Sequence, residues 1–148
     1  MACEICGNIP QEKIIWENRD WVLFLSDDQS YLARSIVACK RHCPSLSDIS
    51  NAEWESLLEA IQKYETAASC AFHPTNFNWS CLMNNAYQEE KPQSHVYWHV
   101  RPRYKKPLEV AGISFADPEF GKHYDPKKKK EVSPKVEQEI IAQLKAGM

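Results

Sequence analysis

The feature that most constrains this chain is the alternation of polar and apolar side chains from residue 95 to residue 101. In an extended strand, successive side chains point to opposite faces, so this stretch predicts a strand with one apolar and one polar face. The polar residues are His95, Tyr97, His99 and Arg101. Two imidazoles, a phenol and a guanidinium in one row suit a phosphate ester, although such a face is also typical of an ordinary solvated strand.

The rest of the pattern predicts an α+β protein. Three apolar runs near the start, KIIWE, WVLFL and SIVAC, are typical of strands, and NFNWSCLM alternates ahead of the polar strand. Ser50 and Glu53 form a capping-box signature, which predicts a principal helix from about residue 51 to residue 71. We therefore expect a five-stranded, mainly antiparallel sheet with one main helix.

The C-terminal part of the chain has a different composition. From Pro107 it contains prolines and lysines, and it ends in a second helix signature with Ser133 as N-cap and Pro134 in the first turn. The chain of 148 residues is long enough for one core. We expect a domain over residues 1–106 and an extension over 107–148 that packs on it.

Charge and composition exclude several classes of function. The formal net charge is −2, which gives no overall attraction to a nucleic-acid duplex, and the lysine run at 127–130 is typical of a solvated face. With 4 glycines there is no glycine-rich phosphate loop. No segment is apolar enough to cross a membrane, so we expect a cytoplasmic protein with a small anionic ligand.

The polar strand also resembles a known family. The stretch HVYWHVRPR is similar to the His-x-His-x-His signature of histidine triad (HIT) proteins, with Tyr97 at the middle histidine. Further stretches resemble the branch related to dinucleoside polyphosphate hydrolases: WVLFLSDDQ, SIVACKRH, FNWSCLMNN and FADPEFGKHYD. Together they cover roughly residues 1–125. Ala33 departs from the pattern, because related proteins often have glycine there.

The resemblance implies a HIT-like fold, a homodimer, and a purine nucleotide or dinucleoside polyphosphate as ligand. By position, Asp27 is expected to contact the ribose. From its charge, and independently of the resemblance, Arg101 is expected to steer an anionic phosphate to the strand. The residues expected around the phosphate are Asn84, Gln93, Ser94 and His99. Outside this resemblance, the Asp27, Asn84 and Gln93 regions are equally typical of turns and solvated loops.

A zinc site is the second expectation. Cys3 and Cys6 have the CxxC spacing of a metal ligand pair, and the resemblance implies His42 and His95 as the other two ligands. Such a Cys2His2 site is structural and ties the N-terminus to the sheet. Cys43 is an alternative ligand, and free thiols near the chain end are the alternative to a site.

Tyr97 changes what the family chemistry implies. In HIT proteins the middle histidine attacks the α-phosphorus, whereas a phenol with a pKa of about 10 needs a base, for which His99 is the candidate. Tyr97 can be a weak nucleophile, His99 can activate water, or Tyr97 can simply pack. We therefore expect a nucleotidyl hydrolase or transferase with altered or reduced activity. The alternatives are an inactive nucleotide-binding pseudoenzyme or sensor, and a zinc-stabilised interaction module.

Overall fold

The predicted strands pair into one antiparallel sheet in the computed structural model, which describes residues 3–148. The sheet has five strands in the order β1-β2-β3-β5-β4. Their bounds are β1 Ile14–Glu17, β2 Trp21–Leu25, β3 Ser35–Cys39, β4 Asn76–Ser80 and β5 Tyr97–Arg103. The prediction of an α+β protein with a five-stranded antiparallel sheet is confirmed.

Strand β5 lies between β3 and β4, and it is longer at its end than the alternation indicates. It pairs with β3 from Tyr97 to Val100 and with β4 from His99 to Arg103. Pro102, which has no backbone N–H, therefore lies where β5 has only β4 as a neighbour. No ladder hydrogen bond to β3 is lost there, so the strand continues to Arg103.

Helix α1 spans Asn51–Phe72 and starts at the predicted capping box. The Ser50 hydroxyl accepts a hydrogen bond from the Glu53 amide at 3.2 Å, and the Glu53 carboxylate accepts one from the Ser50 amide at 2.8 Å. Two of the orphan N–H groups at the helix start are thereby satisfied. His73 is the C-cap residue that follows the helix, and it adopts a left-handed conformation with φ 54°.

The C-terminal part adds a short hairpin and a second helix. The hairpin consists of β6 (Leu108–Val110) and β7 (Ile113–Phe115), whose three-residue strands are too short to give a periodic signal. Helix α2 spans Pro134–Ala146, is capped by Ser133, and packs against α1 and β1. Three short 3-10 helices cover Gln11–Lys13, Leu46–Asp48 and Asn85–Gln88. Within residues 3–148, neither helix is long and apolar enough to span a membrane.

The sheet is covered on both faces. On one face the helices bury a large core that includes Trp21, Leu57, Tyr64 and Ile140. On the other face, the N-terminal segment packs on a smaller apolar cluster, whose members are Cys3, Ile5, Val22, Phe24, Ala38 and Tyr97. Strand β2 is buried on both sides for this reason. The polar side chains of β5 thus lie on the face that carries the N-terminal segment.

Candidate functional site

A cleft of about 230 Å³ lies over the polar face of β5. Strand β5 contributes Tyr97, His99 and Arg101 to its lining. The other walls come from the loop between β2 and β3, the loop after β4, and residues 124–129 between β7 and α2. Three distant parts of the sequence therefore converge on the strand that resembles the triad signature.

The loop between β2 and β3 is fixed by hydrogen bonds to its own backbone. The fully buried Gln29 side chain accepts from the Ala33 amide at 2.8 Å and donates to the carbonyl of Arg34 at 2.9 Å. Ala33 has φ 67°, the left-handed region in which a residue with a Cβ costs of order 1–3 kcal/mol. The Tyr64 hydroxyl donates to the Ala33 carbonyl at 2.5 Å and stabilises this conformation. Arg34, which follows directly, is thereby held at the cleft.

The cleft carries an excess of positive charge. Four basic residues and two acidic residues line it, which leaves an excess of two: Arg34, Arg101, Lys128 and Lys129 against Asp28 and Asp125. Arg34 donates to Asp28 at 2.5 Å, whereas the Arg101 guanidinium stacks on the Tyr124 ring at 3.8 Å. Burial, and then the nearby positive charge of Arg34, lower the pKa of Arg101 to about 10. An anion in the cleft relieves this repulsion.

Four buried polar atoms in the cleft lining have no hydrogen-bond partner among the described residues. They are Ser30 Oγ, Arg34 Nε, His99 Nδ1 and Arg101 Nη1. A buried donor left unpaired costs about 1–3 kcal/mol, and a charged one costs more. Because guanidinium N–H groups and hydroxyls donate well to phosphate oxygens, this arrangement suits an oxyanion.

Tyr97 and His99 are both neutral at pH 7. Their rings meet edge to face with centroids 5.1 Å apart, and no hydrogen bond joins the two side chains in the described part of the chain. Burial, and next the Glu4 carboxylate, raise the pKa of the Tyr97 phenol above its ordinary value. Burial, followed by the charges of Arg101 and Arg34, lowers the pKa of His99 to about 4. His99 is consequently a weak base for the Tyr97 proton.

The structure brings together some of the predicted ligand residues and separates others. Asn84 lines the cleft beside His99 and Arg101. Asp27 does not; its side chain is 85% exposed and pairs with Lys13, while the adjacent Asp28 lines the cleft. Gln93 is exposed and Ser94 is buried, and neither lies in the lining.

Two features of the cleft are absent from the sequence expectations. Arg34 is an isolated arginine in a loop, and no motif marks it. Tyr124 lies near the end of the stretch FADPEFGKHYD, which resembles the family but carries no expected ligand residue, and the lysines at 127–130 are typical of a solvated face. Neither signal indicates that the chain returns to β5 here.

Next to the cleft, the four predicted metal ligands form a cluster. The ligand atoms of Cys3, Cys6, His42 and His95 all lie within 4.8 Å of one another. His95 Nδ1 is 3.3 Å from the Cys3 sulfur and 3.4 Å from the Cys6 sulfur, and His42 Nδ1 is 3.6 Å from the Cys6 sulfur. His95 Nε2 hydrogen-bonds to the Cys39 carbonyl at 2.7 Å, which fixes the ring with Nδ1 toward the thiols. This set can hold a metal ion.

Cys43, the alternative ligand, lies outside the cluster. Its thiol donates a hydrogen bond to the Ser45 carbonyl at 3.3 Å. Burial lowers the pKa of His95, which keeps its imidazole neutral and able to coordinate a metal. His95 thus faces the thiols, and of the three positions that resemble the triad signature, Tyr97 and His99 face the cleft.

Comparison of the sequence with known proteins gives no relative. No protein-family model matches it, and no curated protein matches it.

Comparison of the structure with solved structures finds histidine triad proteins that share its fold. A histidine triad protein of Sinorhizobium meliloti superposes with a TM-score of 0.70 at 13% identity, over 91% of this chain and 88% of its own. A hypothetical histidine triad nucleotide-binding protein of Sulfolobus tokodaii gives 0.60 at 15% identity, over 90% and 84%. A Zn-bound histidine triad family protein of Mycobacterium smegmatis gives 0.55 at 20%, over 96% and 91%. The chain therefore has the fold of histidine triad proteins.

Proposed function

We propose that this chain is a HIT-type protein whose cleft binds a nucleoside phosphate. The observation that carries the proposal is the pair of arginines in the lining, Arg34 and Arg101, each with a buried N–H that has no partner among the described residues. A phosphate group supplies acceptors for both and neutralises their mutual repulsion. The fold shared with histidine triad proteins supports a nucleotide as the molecule that carries this phosphate.

In this proposal Arg101 and Arg34 hold the phosphate, and His99 donates or accepts one hydrogen bond as a neutral imidazole. Asn84 adds an amide that can both donate and accept. Asp28 already accepts from Arg34 and from the amides of Ser30 and Lys130, so it orients the arginine. Asp27, Gln93 and Ser94 do not line the cleft, so the proposal assigns them no contact with the ribose or the phosphate.

We propose further that the chain is a nucleotidyl hydrolase or transferase of reduced or altered activity. A phenol whose pKa is raised by burial is protonated at neutral pH, and its neighbour His99 is a weak base. Attack by Tyr97 on phosphorus is accordingly slow, and direct activation of water by His99 meets the same limit. The raised pKa of Tyr97 favours a second candidate function, which is nucleotide binding without turnover.

We also propose that the cluster of Cys3, Cys6, His42 and His95 binds structural zinc. In a tetrahedral site with Zn–S of about 2.3 Å and Zn–N of about 2.0 Å, sulfur and nitrogen ligands are about 3.5 Å apart. The sulfur–nitrogen distances here are 3.3, 3.4 and 3.6 Å, so the residues fit the ion. A zinc ion held by four protein ligands leaves no position for a substrate; it supplies a cross-link between the N-terminal segment and the sheet.

Homodimer formation belongs to the same proposal and rests on the HIT resemblance, whereas a cytoplasmic location stays a proposal from the sequence analysis. The exposed Trp54 and Leu58 on α1 are apolar side chains that a second copy can cover.

The test is a calorimetric titration with AMP of the unaltered protein, Arg101→Leu and Arg19→Leu. Arg101→Leu removes a cleft donor and should weaken AMP binding by about tenfold, which is roughly 1.4 kcal/mol. Arg19 is exposed and pairs only with its neighbour Asp20, so Arg19→Leu should bind AMP normally. An unaltered protein that does not bind AMP, or normal binding by Arg101→Leu, would contradict the proposal.

Turnover is tested separately by incubation with a diadenosine polyphosphate. Release of AMP, with or without a nucleotidylated species in the intact mass, supports the enzyme. Binding without product supports the second candidate function.

A further inference from the structure

Residues 124–129 form one wall of the cleft, although they lie far from β5 in the sequence. Tyr124, Asp125, Pro126, Lys128 and Lys129 belong to its lining, whereas Lys127 does not. The segment runs between β7 and α2 without helix or strand structure. Two of its lysines, Lys128 and Lys129, thus lie at the cleft.

The segment is anchored near both of its ends to the loop between β2 and β3, which forms another wall of the cleft. The Asp125 amide donates to the Tyr31 hydroxyl at 2.9 Å. The Lys130 amide donates to the Asp28 carboxylate at 3.0 Å, and its carbonyl accepts from the Gln29 amide at 2.8 Å. The backbone between these anchors is held in place before any ligand arrives, which lowers the entropic cost of binding.

The lysines of this segment differ in what they already contact. Lys128 lies 3.3 Å from the Glu119 carboxylate, and Lys130 donates to the Ser114 carbonyl at 2.6 Å. The Lys129 ammonium makes no ion pair within residues 3–148. Of the four basic residues in the lining, Arg101 and Lys129 are therefore the two without a carboxylate partner. Arg101 belongs to β5 and Lys129 to the segment, whose Tyr124 ring stacks on the Arg101 guanidinium.

We propose that Lys129 is a specificity-determining residue that binds a second anionic group of the ligand. Arg101 and Arg34 hold the first phosphate at β5, and Lys129 on the segment holds the anionic group next to it in the ligand. A ligand with two adjacent anionic groups pairs with all three of these cations, whereas a monophosphate leaves Lys129 without an anionic partner. The nature of the ligand as a nucleotide rests on the function proposed above, but the second anionic subsite depends only on the charges.

The test compares Lys129→Gln with Lys127→Gln, a matched control from the same lysine run that lies outside the lining. Both proteins and the unaltered one are titrated with AMP and ADP in magnesium-free buffer, and with phosphate and pyrophosphate as probes without a base. Lys129→Gln should weaken the binding of ADP and pyrophosphate by about three- to fivefold, which is the range of a partly exposed charge pair. The affinities for AMP and phosphate should not change. Lys127→Gln should bind all four normally. Raising the salt concentration should reduce the preference for ADP in the unaltered protein more than in Lys129→Gln.

The subsite is overturned if Lys129→Gln binds AMP and ADP with unchanged affinity, if it weakens the binding of both equally, or if its affinities match those of Lys127→Gln. If pyrophosphate binds with the expected dependence on Lys129 while neither nucleotide binds, the subsite stands and the nucleotide function fails. If none of the four probes binds, both proposals are refuted.

Discussion

Arg103 connects β5 to the segment that leads to the cleft wall, and its removal should destabilise the protein strongly. Its guanidinium is 2% exposed and forms a two-pronged ion pair with Asp117, at 2.7 and 3.0 Å. It also donates to the side chain of Asn78 and to the carbonyls of Glu119 and Lys122. All of these contacts are lost in Arg103→Met, which keeps most of the apolar stem.

The expected cost follows from the burial of Asp117. Once Arg103 is gone, the Asp117 carboxylate keeps one hydrogen bond among the described residues, from the Tyr104 amide at 3.1 Å. Breaking a buried ion pair by removal of one partner costs about 3–5 kcal/mol, because the other charge stays buried without compensation. The free energy of unfolding of a native domain is about 5–15 kcal/mol. Arg103→Met should therefore keep only part of the free energy of unfolding of the unaltered protein. The double variant Arg103→Met/Asp117→Asn removes the stranded charge and should be more stable than the single variant.

Urea unfolding followed by tryptophan fluorescence measures this, since the chain has five tryptophans. Arg19→Met is the matched control, because this exposed arginine pairs with its sequence neighbour Asp20 and with no other carboxylate in residues 3–148. The Arg19→Met protein should unfold at the same urea concentration as the unaltered protein. The reasoning is refuted if Arg103→Met loses less than about 1 kcal/mol, or if the double variant is less stable than Arg103→Met.

Two further predictions concern Tyr97 and the metal ligands. Tyr97→His should raise AMP release from a diadenosine polyphosphate by at least about tenfold, or about 1.4 kcal/mol of barrier, because imidazole attacks without losing a proton first; a smaller gain shows that other parts of the site limit turnover. Protein purified without chelators should carry about one zinc per chain by elemental analysis, and Cys6→Ser should lower both the zinc content and Tm; protein without metal contradicts the zinc proposal.

Apolar runs and periodicity predicted most of the fold: β2 is buried on both faces and is apolar throughout, whereas α1 has one face against the core and repeats its apolar residues at helical spacing. The capping box of Ser50 and Glu53 located the start of α1 to the residue, since its two hydrogen bonds depend on local sequence alone. The C-terminal end of β5 was harder to predict from the sequence. A proline such as Pro102 usually indicates the end of a strand. The strand tolerates Pro102 because β3 does not pair with β5 at that residue, and this pairing depends on the whole sheet.

Apart from Asn84, which the family resemblance implied, the cleft was predictable only along β5. Alternation indicates that Tyr97, His99 and Arg101 share a face, and all three line the cleft. Asp27 and Asp28 are adjacent acids, and spacing cannot distinguish them; the turn geometry directs Asp28 to the cleft and Asp27 to Lys13. Arg34 and residues 124–129 reach β5 through tertiary structure, for which a single sequence carries no periodic signal.

The position of Tyr97 connects the two proposed sites. Its ring belongs to the apolar cluster that includes Cys3 and Ile5 of the N-terminal segment, and it also lines the cleft. His95, two residues earlier, faces the thiols of that same segment. If the proposed zinc ion is bound at His95, it holds the surface against which Tyr97 packs, and loss of the metal should loosen the phenol in the cleft. A large apolar ring gains more from this packing than an imidazole does, which gives a structural reason for Tyr97 at a position where the HIT resemblance implies a histidine.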